Sequence, residues 1–291
     1  MRGSHGVVRD PVASTAVAKI PHVRLSLSNR PENVLLVRQA LSGLAETIEL
    51  DAIELNDMST AVSEACNNVV LHAYEGEEGP LEVEIYAGQE GLEVVVRDHG
   101  SGIQPRLEPR PEDAPGGIGL PVIRALSAAV DFRDTEGGGT EVRMDFRASR
   151  SVPLGPAPEE IQLLSGATLR PPAELSDLMA MSVAPSSLAR TVLPRVLCAL
   201  AARAYFSTDR ISDTQLLADA LVAHAEGPVE GSRLDVGIRV APKTLEMQVG
   251  PLRAGSAADG LGSVLETLSD GHEVSHAGAS EVLDVQIEAR R

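Results

Sequence analysis

Apolar residues recur at helical spacing through residues 33–48, 60–74, 186–206 and 212–225. In the second of these stretches Val62, Ala65, Val69 and Ala73 turn to one side, the pattern of a helix lying on a core. Strand patterns lie between the helices. L-E-V-V-V-R at 92–97 has the β-branched content of a buried strand, and E-V-R-M-D-F at 141–146 predicts another. Residues 81–86, 234–240 and the run from Leu245 read as strands too, and Val122, Ile123 and Leu126 open a short helix. Residues 148–177 contain Pro153, Pro156, Pro158, Pro171 and Pro172 and break the pattern, which predicts a linker between two patterned halves.

The polar face of the 60–74 helix carries Glu64 and Asn68, one turn apart. An amide oxygen ligates a hard cation and a carboxylate takes a proton, so this pair suits magnesium–nucleotide chemistry. Three glycine motifs follow. Asp98-His99-Gly100-Ser101-Gly102 ends the first buried strand. Gly116-Gly117-Ile118-Gly119-Leu120 opens the short helix, and Gly137-Gly138-Gly139-Thr140 precedes the next strand. Glycine permits close backbone approach to a ligand, and a helix start at Gly117–Leu120 offers N–H groups to phosphate. Asp98, at the end of an apolar strand, is placed to accept from a purine amino group; an ionised Asp buried there without a partner would be costly.

In this order the motifs resemble those of the GHKL ATP-binding superfamily, and most closely those of the anti-sigma-factor serine/threonine kinases. S-E-A-C-N-N-V-V-L-H-A-Y is similar to the N-box, D-H-G-S-G to the G1 box, G-G-I-G-L to the G2 box and G-G-G-T to the G3 element, over roughly residues 22–147. The resemblance implies ATP and Mg²⁺ as ligands. It implies Glu64 as general base, Asn68 as the Mg²⁺ ligand and Asp98 as the adenine contact. Gly100 and Gly102 would line the base, Gly117, Gly119 and Leu120 the phosphates, and Thr140 would lie near Asp98. The loop Gln104–Pro115 is similar to the family's mobile lid, where Arg106 and Arg110 are candidates for phosphate oxygens. The implied partner is an anti-anti-sigma (STAS-type) protein, a sigma factor, or both. Two functions stay open: a kinase acting on a seryl or threonyl hydroxyl of that partner, and a nucleotide-gated module that sequesters a partner without transferring phosphate.

The formal net charge of −17 argues against nucleic-acid and anionic-membrane partners. With no Trp, three Tyr and three Phe, the core must be packed by Leu, Val, Ile and Ala. No run of ~18 apolar residues predicts a membrane span. Cys66 and Cys198 fall inside helical patterns and read as reduced, buried thiols of a cytoplasmic protein. Met1–His5 resembles an expression-vector leader. His272 and His276 fall in a strand-like stretch without a third ligand nearby, and read as incidental.

The second half reads as a copy of the first. Ser212–Ala225 aligns with the 60–74 helix, Leu234–Val240 with 81–86, Leu245–Gly255 with Leu92–Gly102, Gly260-Leu261-Gly262 with Gly117-Ile118-Gly119, and Ala279–Val282 with Gly139–Val142. In that alignment Leu216 replaces Glu64, Ala220 replaces Asn68 and Pro251 replaces Asp98. The expected organisation is a 1–20 tail, an ATP-binding domain at 21–147, a linker at 148–180 and a degenerate domain without a nucleotide site at 181–291. The expected fold class is a tandem α/β (α+β) two-layer sandwich, GHKL-type, each half a mixed, mostly antiparallel sheet with helices on one face. Family members of this kind commonly work as homodimers, so the second half is expected to act as an intramolecular pseudo-dimer partner.

Overall fold

A computed structural model describes residues 20–102, 119–135, 137–150, 154, 178–225, 233–253, 255, 260–277 and 280–289. The first half runs β1 (Val23–Ser28), α1 (Asn33–Thr47), α2 (Ala52–Asn68), a π turn (Val69–Ala73), β2 (Pro80–Gly88), β3 (Gly91–Asp98), α3 (Gly119–Leu126), β4 (Ala129–Asp134) and β5 (Thr140–Arg147). The second runs β6 (Leu178–Val183), α4 (Ala189–Arg203), α5 (Thr208–Ala225), β7 (Leu234–Ala241), β8 (Thr244–Arg253), α6 (Leu261–Leu268), β9 (Gly271–Ala277) and β10 (Ser280–Glu288). Both halves therefore follow one order: strand, two helices, two strands, helix, two strands.

The ten strands form one sheet in the order β4-β5-β3-β2-β1-β6-β7-β8-β10-β9, and every pairing among the described residues is antiparallel. The sequence reading expected a sheet in each half. Instead the two half-sheets join edge to edge, because β1 and β6 pair with Val23 opposite Val183 and Leu25 opposite Met181. An edge strand presents unpaired N–H and C=O groups, and here each half covers the other's first edge. β6 was not read from the sequence, and its first residues, Leu178–Ala180, fall within the segment assigned to the linker. Its alternation is visible in hindsight: Met179, Met181 and Val183 are buried, while Ala180 and Ser182 between them are half-buried.

Period-two burial places the core. Val23, Leu25 and Leu27 of β1, Val83 and Ile85 of β2, and Val94 and Val96 of β3 are buried with Leu36, Leu41, Val62 and Ala65 of the helices. The same cluster continues through Met181, Leu193, Leu197, Leu221 and Val249 of the second half. On the other side of the sheet, cross-strand charges pair: Arg97 with Glu82, Glu84 and Glu141, Arg24 with Glu84, and Arg143 with Glu93, while Arg143 also pairs with Glu141 along β5.

Behind the β1–β6 seam, α1 lies against α4. A Cβ added at Gly43 would sit 2.5 Å from the Thr191 carbonyl oxygen, so any larger side chain there must part the two helices. The Thr47 and Thr191 hydroxyls hydrogen-bond at 2.8 Å, Arg195 pairs with Glu46, and Arg203 donates to Asn33 Oδ1 at 2.8 Å. Among the described residues no helix is long and apolar enough to cross a membrane.

Candidate functional site

The site is built on the C-terminal end of α2. Asp51 starts that helix: its carboxylate accepts from the N–H groups of Ile53 and Glu54, each at 2.8 Å, and Glu54 accepts from the Asp51 N–H at 3.0 Å. Such a reciprocal cap is worth about 1 kcal/mol to the helix. The apolar side of α2, with Met58, Ala61, Val62, Ala65 and Cys66, is buried on the sheet. Burial pushes the Cys66 thiol up to about 12, so Cys66 stays protonated and serves packing. Glu64 and Asn68 are half-buried on the flank of this helix.

Past Asn68 the helix widens into the π turn, a local distortion found often at functional sites. It carries Ala73 and Tyr74 to the loop that follows β3. Three successive backbone N–H groups of that loop are held by three different acceptors. His99 N–H donates to Tyr74 Oη at 2.8 Å, Gly100 N–H to Asp98 Oδ1 at 2.9 Å, and Ser101 N–H to the Ala73 carbonyl at 3.0 Å. Gly100 has no room for a side chain, because a Cβ there would run into the Ala73 carbonyl. Gly139, at φ +94°, lies equally close against the backbone of Asp98 and His99 and brings the third glycine motif onto the first.

Asp98 is 4% exposed and sits on the helix side of β3, in step with Val94 and Val96. A carboxylate so buried needs polar partners, and Gly100 N–H supplies one of them. Thr140 opens β5 opposite Asp134 of β4. It shares a face with buried Val142, next to Asp98 on the neighbouring strand, because Arg97 pairs with Glu141. Gly102 faces Asp134: a Cβ on it would be 3.3 Å from Asp134 Oδ1.

The second glycine motif closes on the helix pair. A Cβ at Gly119 would lie 3.0 Å from Glu64 Oε2 and 3.6 Å from Asn68 Oδ1. The first residue of α3 thus stands against both, and the N-terminal turn of α3 adds its partial positive charge beside a carboxylate and an amide oxygen. Leu120 follows and is half exposed. Glu64, Asn68 and Gly119 come together at one place; Asp98, Gly100, Gly139 and Thr140 come together at another, beyond the π turn. Gly117, Arg106 and Arg110 lie outside the described residues, as does the Gln104–Pro115 loop.

The donor set suits a phosphate-bound divalent ion better than a free-standing metal centre. Among the described residues no group of three or more His, Cys, Asp or Glu side chains could hold an ion. Asn68 offers a single oxygen, so Mg²⁺ there would draw the rest of its shell from phosphate and water, its usual habit. His272 and His276 are both exposed on β9. Sequence reasoning picked Glu64, Asn68 and Asp98 but missed Ala73 and Tyr74, whose hydrogen bonds tie the helix to the Asp98 loop. The signal was present, since the helical pattern ends on an H-A-Y whose Tyr is one of three in the chain.

Comparison with known proteins bears on the same part of the chain. Residues 27–146 match the profile of a family described as the histidine kinase-like ATPase domain. The serine-protein kinase RsbW of Bacillus pumilus is 30% identical over 131 residues, spanning 40% of this chain and 80% of that protein. The RsbW of Listeria innocua is 37% identical over 129 residues, or 40% and 81%. An anti-sigma F factor of Thermoanaerobacter is 28% identical over 129 residues, or 42% and 90%. Among solved structures, crystal form I of TP0453 covers 94% of this chain and 92% of its own at 11% identity and a TM-score of 0.40, too slight a likeness to inform the fold.

Proposed function

The chain belongs, through residues 27–146, to the family of histidine kinase-like ATPase domains, and on that premise we propose that it is an ATP-dependent anti-sigma-type regulator that phosphorylates a seryl or threonyl hydroxyl of an anti-anti-sigma partner. The observation that carries this reading is the meeting of Glu64, Asn68 and the first turn of α3. In it, the buried Asp98 reads the adenine amino group, and the turn pinned to Ala73 and Tyr74 lines the base. Asn68 would hold Mg²⁺ through its side-chain oxygen, and the N-terminus of α3 would offer its N–H groups to the phosphate oxygens. Bound Mg²⁺ supplies neutralisation of the phosphate charge. Glu64 accepts the proton of the attacking hydroxyl, a role its half-buried carboxylate can take without leaving the helix. The names of the relatives, kinases and anti-sigma factors, favour this substrate class.

We read the second half as an internal partner without a nucleotide site. Leu216, Ala220 and Pro251 stand where a base, a metal ligand and an adenine acceptor are needed, and Leu216 is 58% exposed. Its β6 edge and α4 face cover the β1 edge and α1 face of the ATPase half. Support for this comes from the shared element order and the edge-to-edge sheet.

The test is transfer of label from γ-labelled ATP to candidate anti-anti-sigma proteins, with Glu64→Ala as control. Transfer by wild type and not by the variant supports the kinase. Equal inactivity of both, with ATP-dependent binding of a partner, favours sequestration instead. Calorimetry on the full chain should give one nucleotide per chain.

A further inference from the structure

The turn after Asp98 is held from outside by the Ala73 carbonyl and by one side-chain hydroxyl, that of Tyr74. We propose that Tyr74 is a positioning residue for base recognition: its hydroxyl, by holding the His99 N–H, fixes the turn that aims the Asp98 carboxylate. This rests on the reading that Asp98 contacts the adenine of bound ATP.

The geometry is specific. Tyr74 Oη accepts from His99 N–H at 2.8 Å and donates to the Pro80 carbonyl at 2.6 Å. It therefore links the end of the α2 segment, the start of β2 and the turn after β3. The hydroxyl stays protonated, because burial raises its pKa above the ordinary value. The ring lies flush on Gly79, where an added Cβ would overlap it, so the hydroxyl has little freedom to move. Without the hydroxyl, His99 N–H and the Pro80 carbonyl both lose their partner, and two of the three anchors on the turn remain. The groups that face phosphate, Asn68 and the N-terminus of α3, lie on other segments and keep their contacts. Loosening the turn should therefore degrade recognition of the base and leave recognition of the phosphates intact. Phe at position 74 keeps the ring and its packing, so folding should survive.

The experiment is calorimetry on the full chain with MgATP, MgGTP and magnesium tripolyphosphate. Tyr74→Phe should weaken ATP about threefold to tenfold, the worth of one hydrogen bond. It should narrow the preference for ATP over GTP by the same factor and leave tripolyphosphate unchanged. Gly79→Ala, which displaces the ring without removing the hydroxyl, should shift the preference in the same direction. In a double-mutant cycle, Tyr74→Phe with Asp98→Asn should cost less than the sum of the two changes. An unchanged ATP-to-GTP ratio in Tyr74→Phe overturns the proposal, as does an equal loss for ATP and tripolyphosphate, which is what general loosening would give. Additive effects in the cycle overturn it too. Wild-type protein that binds no nucleotide overturns the ATP reading and this one with it; wild-type discrimination that persists in Tyr74→Phe overturns this one alone.

Discussion

The two halves share an element order but differ where chemistry would need them to. In the first, α2 ends in a π turn, and Ala73 and Tyr74 reach across to the loop after β3. In the second, α5 stays α-helical from Thr208 to Ala225. β3 pairs with β5 without interruption up to Arg97, which delivers Asp98 buried at its end. The pairing of β8 with β10 shifts register between Glu281 and Leu283, beside Pro251. The following turn is held differently as well: Gly255 N–H donates to Glu281, a residue of β10 that is 4% exposed, at 2.7 Å. The Glu281 carboxylate of β10 thus secures in the second half what a helix end and the buried Asp98 secure in the first. Two halves can share a core and a sheet while differing at the strand ends, because the core depends on apolar alternation and the strand ends on a few polar contacts.

Five changes would break or sharpen that contrast. Glu64→Ala should keep nucleotide affinity and lower the transfer rate by ~10²–10⁴, the usual contribution of a positioned base; single-turnover transfer reads this directly. Asp98→Ala should weaken ATP by about tenfold to a hundredfold, as loss of a hydrogen bond to a charged group does, and calorimetry checks it. Gly43→Leu tests the seam: parting α1 from α4 should cost about 1–3 kcal/mol in denaturant unfolding. A variant as stable as wild type would mean that the two helices adjust freely.

Glu141 links stability to pH. Burial pushes its carboxyl up, but Arg97 and Arg143 outweigh burial and hold it below the ordinary 4.5. A carboxylate whose folded-state value is depressed stabilises fully above its unfolded value, and that contribution is lost as pH falls through the lower, folded value. Glu141→Gln should therefore cost roughly 0.5–1 kcal/mol near neutrality, and the gap to wild type should close on acidification below the unfolded value. Denaturant unfolding at neutral and at acid pH reads the difference. The smallest effect is expected from Leu216→Glu combined with Ala220→Asn. Restoring the helix pair without the π turn or an Asp98 equivalent should leave stoichiometry at one nucleotide per chain. A second bound nucleotide would show that the helix face alone suffices.

Much of this was legible in the sequence. The Glu64–Asn68 pair, Asp98 and the glycine motifs are local signals, since one helical turn or one strand end sets each of them. The shared element order of the halves was legible for a similar reason, since apolar periodicity is read over a few residues in each. Tyr74 was passed over because a tyrosine at a helix end reads as packing until its partners, His99 and Pro80, are seen beside it.

The sequence by itself determined the helices lying on the core, the strands at 81–86, 92–97, 141–146 and 234–240, and the residue types that nucleotide chemistry uses, because period and local propensity act over a few residues. Only the tertiary structure decided that β1 and β6 would join ten strands into one sheet, and that Gly119 would stand so close to the pair that an added Cβ would lie 3.0 Å from Glu64 Oε2 and 3.6 Å from Asn68 Oδ1. Only there does the Tyr74 hydroxyl hold the turn after Asp98. Edge pairing and close backbone approach depend on atoms far apart in the chain, and no local pattern records which of the available partners a strand edge or an N–H group will take.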